Sequence, residues 1–165
     1  MTIIIKNKET LLIDDFKFRC SVGKGGSSKN KIEGDLKSPI GIFELGNIYY
    51  RPDKVEKPKS KIKTIAIKKN MGWCDDPKSK YYNKLIKIKK NIKISYEKLY
   101  RKDNKYDLFI LIKYNYNKPL KNKGSAIFLH LTKNYLPTKG CIAIKRDDFC
   151  ILAKLINKKT KIKII

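Results

Sequence analysis

The chain has 165 residues, with 40 Lys and Arg against 15 Asp and Glu, for a net charge of +25. That length holds one domain with a real hydrophobic core and is too short for two of ordinary size. The charge invites a nucleic-acid role, since a basic surface releases counterions from phosphate. However, it is nearly all Lys spread among Ile and Asn, and Arg stands only at Arg19, Arg51, Arg101 and Arg146. Arg is the bidentate reader of phosphate and bases. A drift in composition accounts for the charge, so no specific nucleic-acid partner is expected; general attraction to anionic polymers comes with it.

Residues 2–5 and 10–13 read as two short strands of a hairpin turning at Lys6-Asn7-Lys8-Glu9. Phe16 to Val22 alternates apolar and polar, as a half-buried strand does. Gly23-Lys24-Gly25-Gly26-Ser27-Ser28 breaks the pattern. It lacks the spacing and the Lys-Ser/Thr ending of a P-loop, which makes it a turn or loop, and the loop continues to Lys37. A strand is expected at Gly41 to Leu45, then a solvated Lys/Pro-rich segment from Asp53 to Lys63. Thr64 to Ile67 is short and apolar, and a loop follows from Lys69 to Asn83. Ser95 to Tyr100 reads as one helical turn.

Tyr106 to Tyr114 is an apolar run of strand length, buried on both faces. Ser125 to Leu131 is another strand. Alternation puts Ala126, Phe128 and His130 on one side and Ile127, Leu129 and Leu131 on the other. Asp147 is a good helix N-cap, with Phe149, Leu152, Ala153 and Ile156 on one face of a helix from Asp147 to Asn157. Lys161 to Ile165 closes the chain as a strand. The total is about eight to ten short strands and one or two helices, a mainly-β single domain over residues 1–165. No stretch approaches the length of a membrane helix, and Met1 to Lys6 is too short for the apolar region of a signal peptide.

The chemistry is concentrated between Ala126 and Ile144. His130, the only histidine, ends an apolar run eleven positions before Cys141, which directly follows Gly140. A thiol and an imidazole at the ends of neighbouring strands are the minimum equipment for a cysteine nucleophile and its general base. Gly140 admits positive φ or close backbone approach to a substrate. Lys139, Lys145 and Arg146 bring positive charge that would favour the thiolate. The other cysteines, Cys20, Cys74 and Cys150, read as free structural thiols. With no C-x-x-C spacing and one histidine, no metal site is expected.

Thr138-Lys139-Gly140-Cys141-Ile142-Ala143 with His130 upstream resembles the active-site signature of the L,D-transpeptidases, the YkuD-type catalytic domain. Ser38-Pro39-Ile40-Gly41-Ile42-Phe43 is similar to that family's Thr-Pro-x-Gly-x-Phe segment. Gly72-Trp73-Cys74-Asp75-Asp76-Pro77 with Tyr82-Asn83, and Gly124 to His130, resemble blocks of a compact subgroup. Two departures stand out: Lys139 replaces a second histidine, and the interval from His130 to Cys141 is shorter than in familiar members.

The resemblance implies a YkuD β-sandwich and a cofactor-free acyl transfer that cross-links peptidoglycan stems. Cys141 would be the nucleophile, His130 the base, and backbone N–H groups at Gly140 and Cys141 the oxyanion donors. It also implies that Trp73, Asp75, Asp76, Tyr82 and Asn83 line the stem groove beside Thr138 and Lys139, with the acids suited to an amino group such as that of diaminopimelate. The structural alternative is Trp73 as a core plug and Asp75-Asp76-Pro77 as a plain turn. An L,D-carboxypeptidase or amidase on the same site, and a non-catalytic wall-binding module, are the competing functions. The family's setting implies the cell envelope or periplasm, and a monomer is expected.

Overall fold

The computed structural model describes residues 1–165 as fourteen strands and one helix. In chain order these are β1 (Thr2–Lys6), β2 (Thr10–Ile13), β3 (Phe16–Ser21), β4 (Ser27–Ser28), β5 (Ser38–Pro39), β6 (Gly41–Tyr50) and β7 (Thr64–Ala66). There follow β8 (Met71–Cys74), β9 (Leu85–Lys87), β10 (Tyr96–Lys98), β11 (Leu108–Ile112), β12 (Phe128–Leu131), β13 (Ile142–Ile144), α1 (Arg146–Leu155) and β14 (Lys161–Ile164). The mainly-β expectation holds. Eight strands pair in the order β6, β11, β12, β13, β3, β2, β1, β14, and β14 returns to β6, so the sheet closes on itself as a barrel.

Strand β6 makes the closure. Its first half, Gly41 to Glu44, pairs with β14, and its second half, Leu45 to Tyr50, pairs with β11. The strand expected from the sequence spans Gly41 to Leu45. The strand runs on to Tyr50 since a neighbour is present along its whole length, and β7 adds to its end in parallel.

Alternation along the strands separates two apolar layers. One contains 25 buried residues and draws on all eight ring strands, from Ile3 and Ile5 on β1 to Ile162 and Ile164 on β14; it fills the barrel. The other contains ten, among them Trp73, Leu99, Tyr106, Phe109, Phe128 and Cys141, and lies on the outer face of β6, β11 and β12. This outer layer is covered by a small sheet in the order β10, β8, β9. The sequence reading gave that region as a loop and a helical turn. Its strands are only three or four residues long, and β8 buries Gly72, Trp73 and Cys74 in succession, so it carries no period-two signal.

Helix α1 begins one residue earlier than expected. Lys145 is the N-cap and makes no side-chain cap, while Asp147 and Asp148 lie in the first turn, where their charge meets the positive end of the helix. Phe149, Leu152 and Ala153 pack into the barrel layer. The Asp53–Lys63 segment is not wholly solvated, because Val55 and Ile62 are buried against the barrel. No helix is long and apolar enough to cross a membrane.

Phe149 is fully buried in the barrel layer. Phe149→Ala is expected to cost about 3–5 kcal/mol in urea unfolding. A loss below about 1 kcal/mol, the level of many surface substitutions, would show that α1 does not close the core.

Candidate active site

Strands β12 and β13 run parallel, with Leu129 opposite Ile142 and His130 opposite Ala143. Extending that register puts Phe128 opposite Cys141. Cys141 and His130 therefore project from the same, outer face of two neighbouring strands, one diagonal step apart. Both line one groove of about 540 Å³. The alternation expected for Ser125 to Leu131 is observed: Ala126 and Phe128 belong to the outer layer with Cys141, and Ile127, Leu129 and Leu131 to the barrel.

The thiol is held by backbone. Cys141 Sγ donates to the Ala126 carbonyl at 3.2 Å and accepts the Phe128 N–H at 3.3 Å. It is not hydrogen-bonded to His130. Ala126 has φ 53°, unusual for a residue with a Cβ, and this twist turns its carbonyl towards the sulfur. Asn83 sustains it: Asn83 Oδ1 accepts the Ala126 N–H at 3.0 Å and the Trp73 Nε1–H at 2.9 Å. Asn83 Nδ2 donates to the carbonyls of Tyr114 and Asn115 at 3.1 and 2.7 Å.

The turn before the nucleophile is equally tied. Gly140 has φ +134°, and a Cβ there would meet the Lys37 carbonyl at 2.8 Å, so only glycine fits. Ser38 Oγ donates to the Gly140 carbonyl at 2.8 Å. Thr138 Oγ1 accepts the Gly140 N–H at 3.0 Å and donates to the Cys141 carbonyl at 2.6 Å. Gly140 is thus not a free oxyanion donor as the sequence suggested, because Thr138 occupies its N–H. The Cys141 N–H takes no side-chain or loop partner and is the available backbone donor beside the sulfur.

His130 is buried, with its Nδ1 2.8 Å from the Leu131 carbonyl. A carbonyl only accepts, so Nδ1 carries the hydrogen and Nε2 is the basic nitrogen. The edge of Tyr106 packs on the ring, with centroids 5.4 Å apart. Burial lowers the imidazole from its ordinary 6.5 to about 4, against the pull of the Leu131 carbonyl, with Lys105 and Arg101 lowering it further.

Burial also pushes the Cys141 thiol up to about 12, and the Glu97 carboxylate adds to the rise; the Phe128 N–H, Lys31 and Lys105 act in the other direction. Both groups are neutral at rest. The expectation that Lys139, Lys145 and Arg146 favour a thiolate is overturned, since all three are exposed to water while the sulfur is buried.

Of the residues expected in the groove, Asp75, Thr138 and Lys139 line it. Trp73 is 1% exposed and packs edge-on against Phe128, so it is the core plug. Asp76 accepts the Lys78 N–H at 2.9 Å and shapes a turn outside the groove. Tyr82 and Asn83 are buried and do not line it: Tyr82 donates to Glu33 and receives the Gly124 N–H, and Asn83 supports Ala126.

The sequence profile of YkuD, the L,D-transpeptidase catalytic domain, matches residues 1–164. The chain belongs to this family. Among solved structures, the YkuD domain described here is similar to the helical cell shape determining protein Pgp2 from Campylobacter jejuni, at 17% identity and a TM-score of 0.50. The match covers 99% of this chain and 46% of the Pgp2 chain, so this chain spans less than half of that protein; the likeness is one of fold. A search of curated proteins gave no match.

The YkuD groove also holds residues that the sequence did not single out: Lys31, Glu33, Glu97, Arg101, Lys105 and Tyr106. Glu97 comes from β10 and accepts the Tyr106 hydroxyl at 2.6 Å. Burial raises its carboxyl above the ordinary value, and nearby Asp75 adds to this. An acid in so basic a chain, with Tyr96 before it and Tyr100 three positions after, is the one signal available for it. All four cysteines are free.

The lowered His130 pKa sets a pH dependence of stability. The unfolded imidazole binds a proton below its ordinary 6.5, and the folded one only near 4. The contribution is whole above 6.5 and is lost as the pH falls through 4, at most about 3 kcal/mol. Glu97, raised in the fold, works the opposite way. Urea unfolding from pH 8 to 4, compared between the parent and His130→Gln, isolates the His130 contribution; the variant should fall less steeply. Identical pH profiles would contradict a neutral buried imidazole.

Proposed function

We propose that residues 1–165 form one peptidoglycan L,D-transpeptidase domain, joining two peptide stems through an acyl-enzyme on Cys141. The observation that carries this reading is the common outer face of Cys141 and His130, opening on one groove. The thiol leaves the Ala126 carbonyl and passes its proton to His130 Nε2. The thiolate attacks a carbonyl of the donor stem, and the C=O electron pair moves to oxygen. The tetrahedral intermediate collapses, the C–N bond breaks, and the leaving amine takes the proton from the imidazolium. An amine of a second stem then attacks the thioester carbonyl and gives its proton to His130 Nε2; the C–S bond breaks as the new amide forms, and the expelled thiolate takes that proton back from the imidazolium.

The neutral resting pair suits this order of events. A thiolate would be destabilised by burial and by Glu97 until substrate is present. Substrate binding excludes water further, so the proton passes directly from Sγ to His130 Nε2 as the sulfur attacks, and no free thiolate accumulates. Asp75 and Glu97 give the groove an acidic side for the acceptor amine, and Thr138 and Lys139 stand at the approach to the thiol. The exposed lysines draw the domain to an anionic wall polymer in the cell envelope. No metal or cofactor enters this chemistry, and a single copy of the domain suffices for it.

Isolated muropeptides incubated with the protein and analysed by mass provide the test. Cross-linked dimers are expected. Cys141→Ala and His130→Ala should each lower their formation by at least about 10³-fold while leaving the thermal unfolding transition cooperative. Shortened monomers without dimers would make the domain a carboxypeptidase or amidase. Full cross-linking by Cys141→Ala would exclude the assignment altogether.

A further inference from the structure

Lys31 is 4% exposed, which is exceptional for a lysine, and it lines the groove with Cys141 and His130. Its Nζ donates to Asp35 Oδ1 at 2.7 Å, its only hydrogen bond. An ammonium has three donors, so two N–H groups of a nine-tenths buried cation lack a protein partner. Asp35 is itself fixed by the Ile32 and Lys37 N–H groups, both at 2.9 Å, which holds the pair in place.

The surroundings admit Lys31 at close range. A Cβ on Gly124, where φ is +100°, would lie 2.8 Å from Lys31 Cε. A Cβ on Gly140 would lie 3.4 Å from Lys31 Nζ. The ammonium therefore stands beside Gly140, the residue that precedes the nucleophile, where Thr138 already occupies the Gly140 N–H and the Cys141 N–H is the one free backbone donor.

We propose that Lys31 is a catalytic residue, a charged donor that stabilises the Cys141 thiolate and then the oxyanion of each tetrahedral intermediate, together with the Cys141 N–H. This rests on the acyl-transfer reading given above. Lys31 keeps its proton throughout. As Sγ bonds to the carbonyl carbon, the displaced electron pair on oxygen accepts from Nζ–H; when the C–N bond breaks and the C=O re-forms, that hydrogen bond relaxes. Among the charged and titratable groups facing the sulfur, Glu97 opposes its ionisation and Lys105 and Lys31 favour it, while Tyr106 and His130 are neutral.

The test compares Lys31→Met, which keeps the stem and removes the charge, with Lys31→Arg. The first readout is the rate at which neutral iodoacetamide modifies Cys141 as a function of pH, followed by peptide mass. Lys31→Met should shift the profile upward by at least one pH unit and slow modification at least tenfold at a fixed pH, and Lys31→Arg should restore most of the rate. On muropeptides Lys31→Met should lower kcat by about 10²–10³ with KM little changed.

An unchanged alkylation profile, or an effect confined to KM, would overturn the proposal and make Lys31 a substrate anchor or a structural residue. Should Lys31→Met fail to fold, Asp35→Asn decides: removing the partner carboxylate should lower the alkylation profile, and an unchanged profile would count against Lys31. Alkylation requires no peptidoglycan, so a wild-type protein inactive on muropeptides but with a Lys31-dependent alkylation profile would refute the transpeptidase reading and the oxyanion role while leaving the thiolate role of Lys31 standing.

Discussion

The parallel pairing of β12 with β13 is the constraint on which the rest of the site depends. Slipping that register by one residue would send either His130 or Cys141 into the barrel, because side chains change face at every step. The register is held by apolar burial on the barrel side, where Leu129, Leu131, Ile142 and Ile144 all enter the 25-residue layer. Packing on one face of the sheet thus fixes chemistry on the other. The geometry of the thiol is then refined by short polar contacts: Asn83 through Ala126, Ser38 through Gly140, and Thr138 through the Cys141 carbonyl.

Electrostatics at the sulfur are local. A net charge of +25 does little for a buried thiol when most of the lysines stand in water, where exposed charges are screened within a Debye length of about 8–10 Å. Desolvation and Glu97 outweigh the two cations that reach it, and the resting thiol stays neutral. Such an arrangement keeps the nucleophile neutral at rest, and in the proposed mechanism its ionisation waits on proton transfer to His130 Nε2. The family match covers residues 1–164, and the groove that Cys141 and His130 share is the observation behind the proposed acyl transfer.

Much of the frame was legible in the sequence. The hairpin at the N-terminus, the buried β11 and the two-sided β12 have clear period-two or continuous apolar patterns, and a lone histidine upstream of Gly140-Cys141 is rare enough to mark the site. The covering sheet was not legible, because strands of three and four residues give no period and Tyr96-Glu97-Lys98 has no apolar alternation at all. The Gly72–Asn83 block is only partly legible: Asp75 meets the groove as the resemblance implies, whereas Trp73 and Asn83 support the nucleophile from behind and do not meet it. Lys31 was invisible for a different reason. Among so many lysines nothing local distinguishes one whose burial depends on glycines at positions 124 and 140.

The central claim is that Cys141 carries the donor stem as a thioester formed with the help of His130. It is tested most directly by mixing the protein with a tetrapeptide stem, quenching in acid within the first turnover, and mapping the intact mass adduct by peptide. The account predicts a single adduct on the Cys141 peptide, equal to the stem minus its leaving amine component, present in the wild type and absent in His130→Ala. An adduct on Cys20, Cys74 or Cys150, or one on Cys141 that forms equally fast without His130, would contradict it.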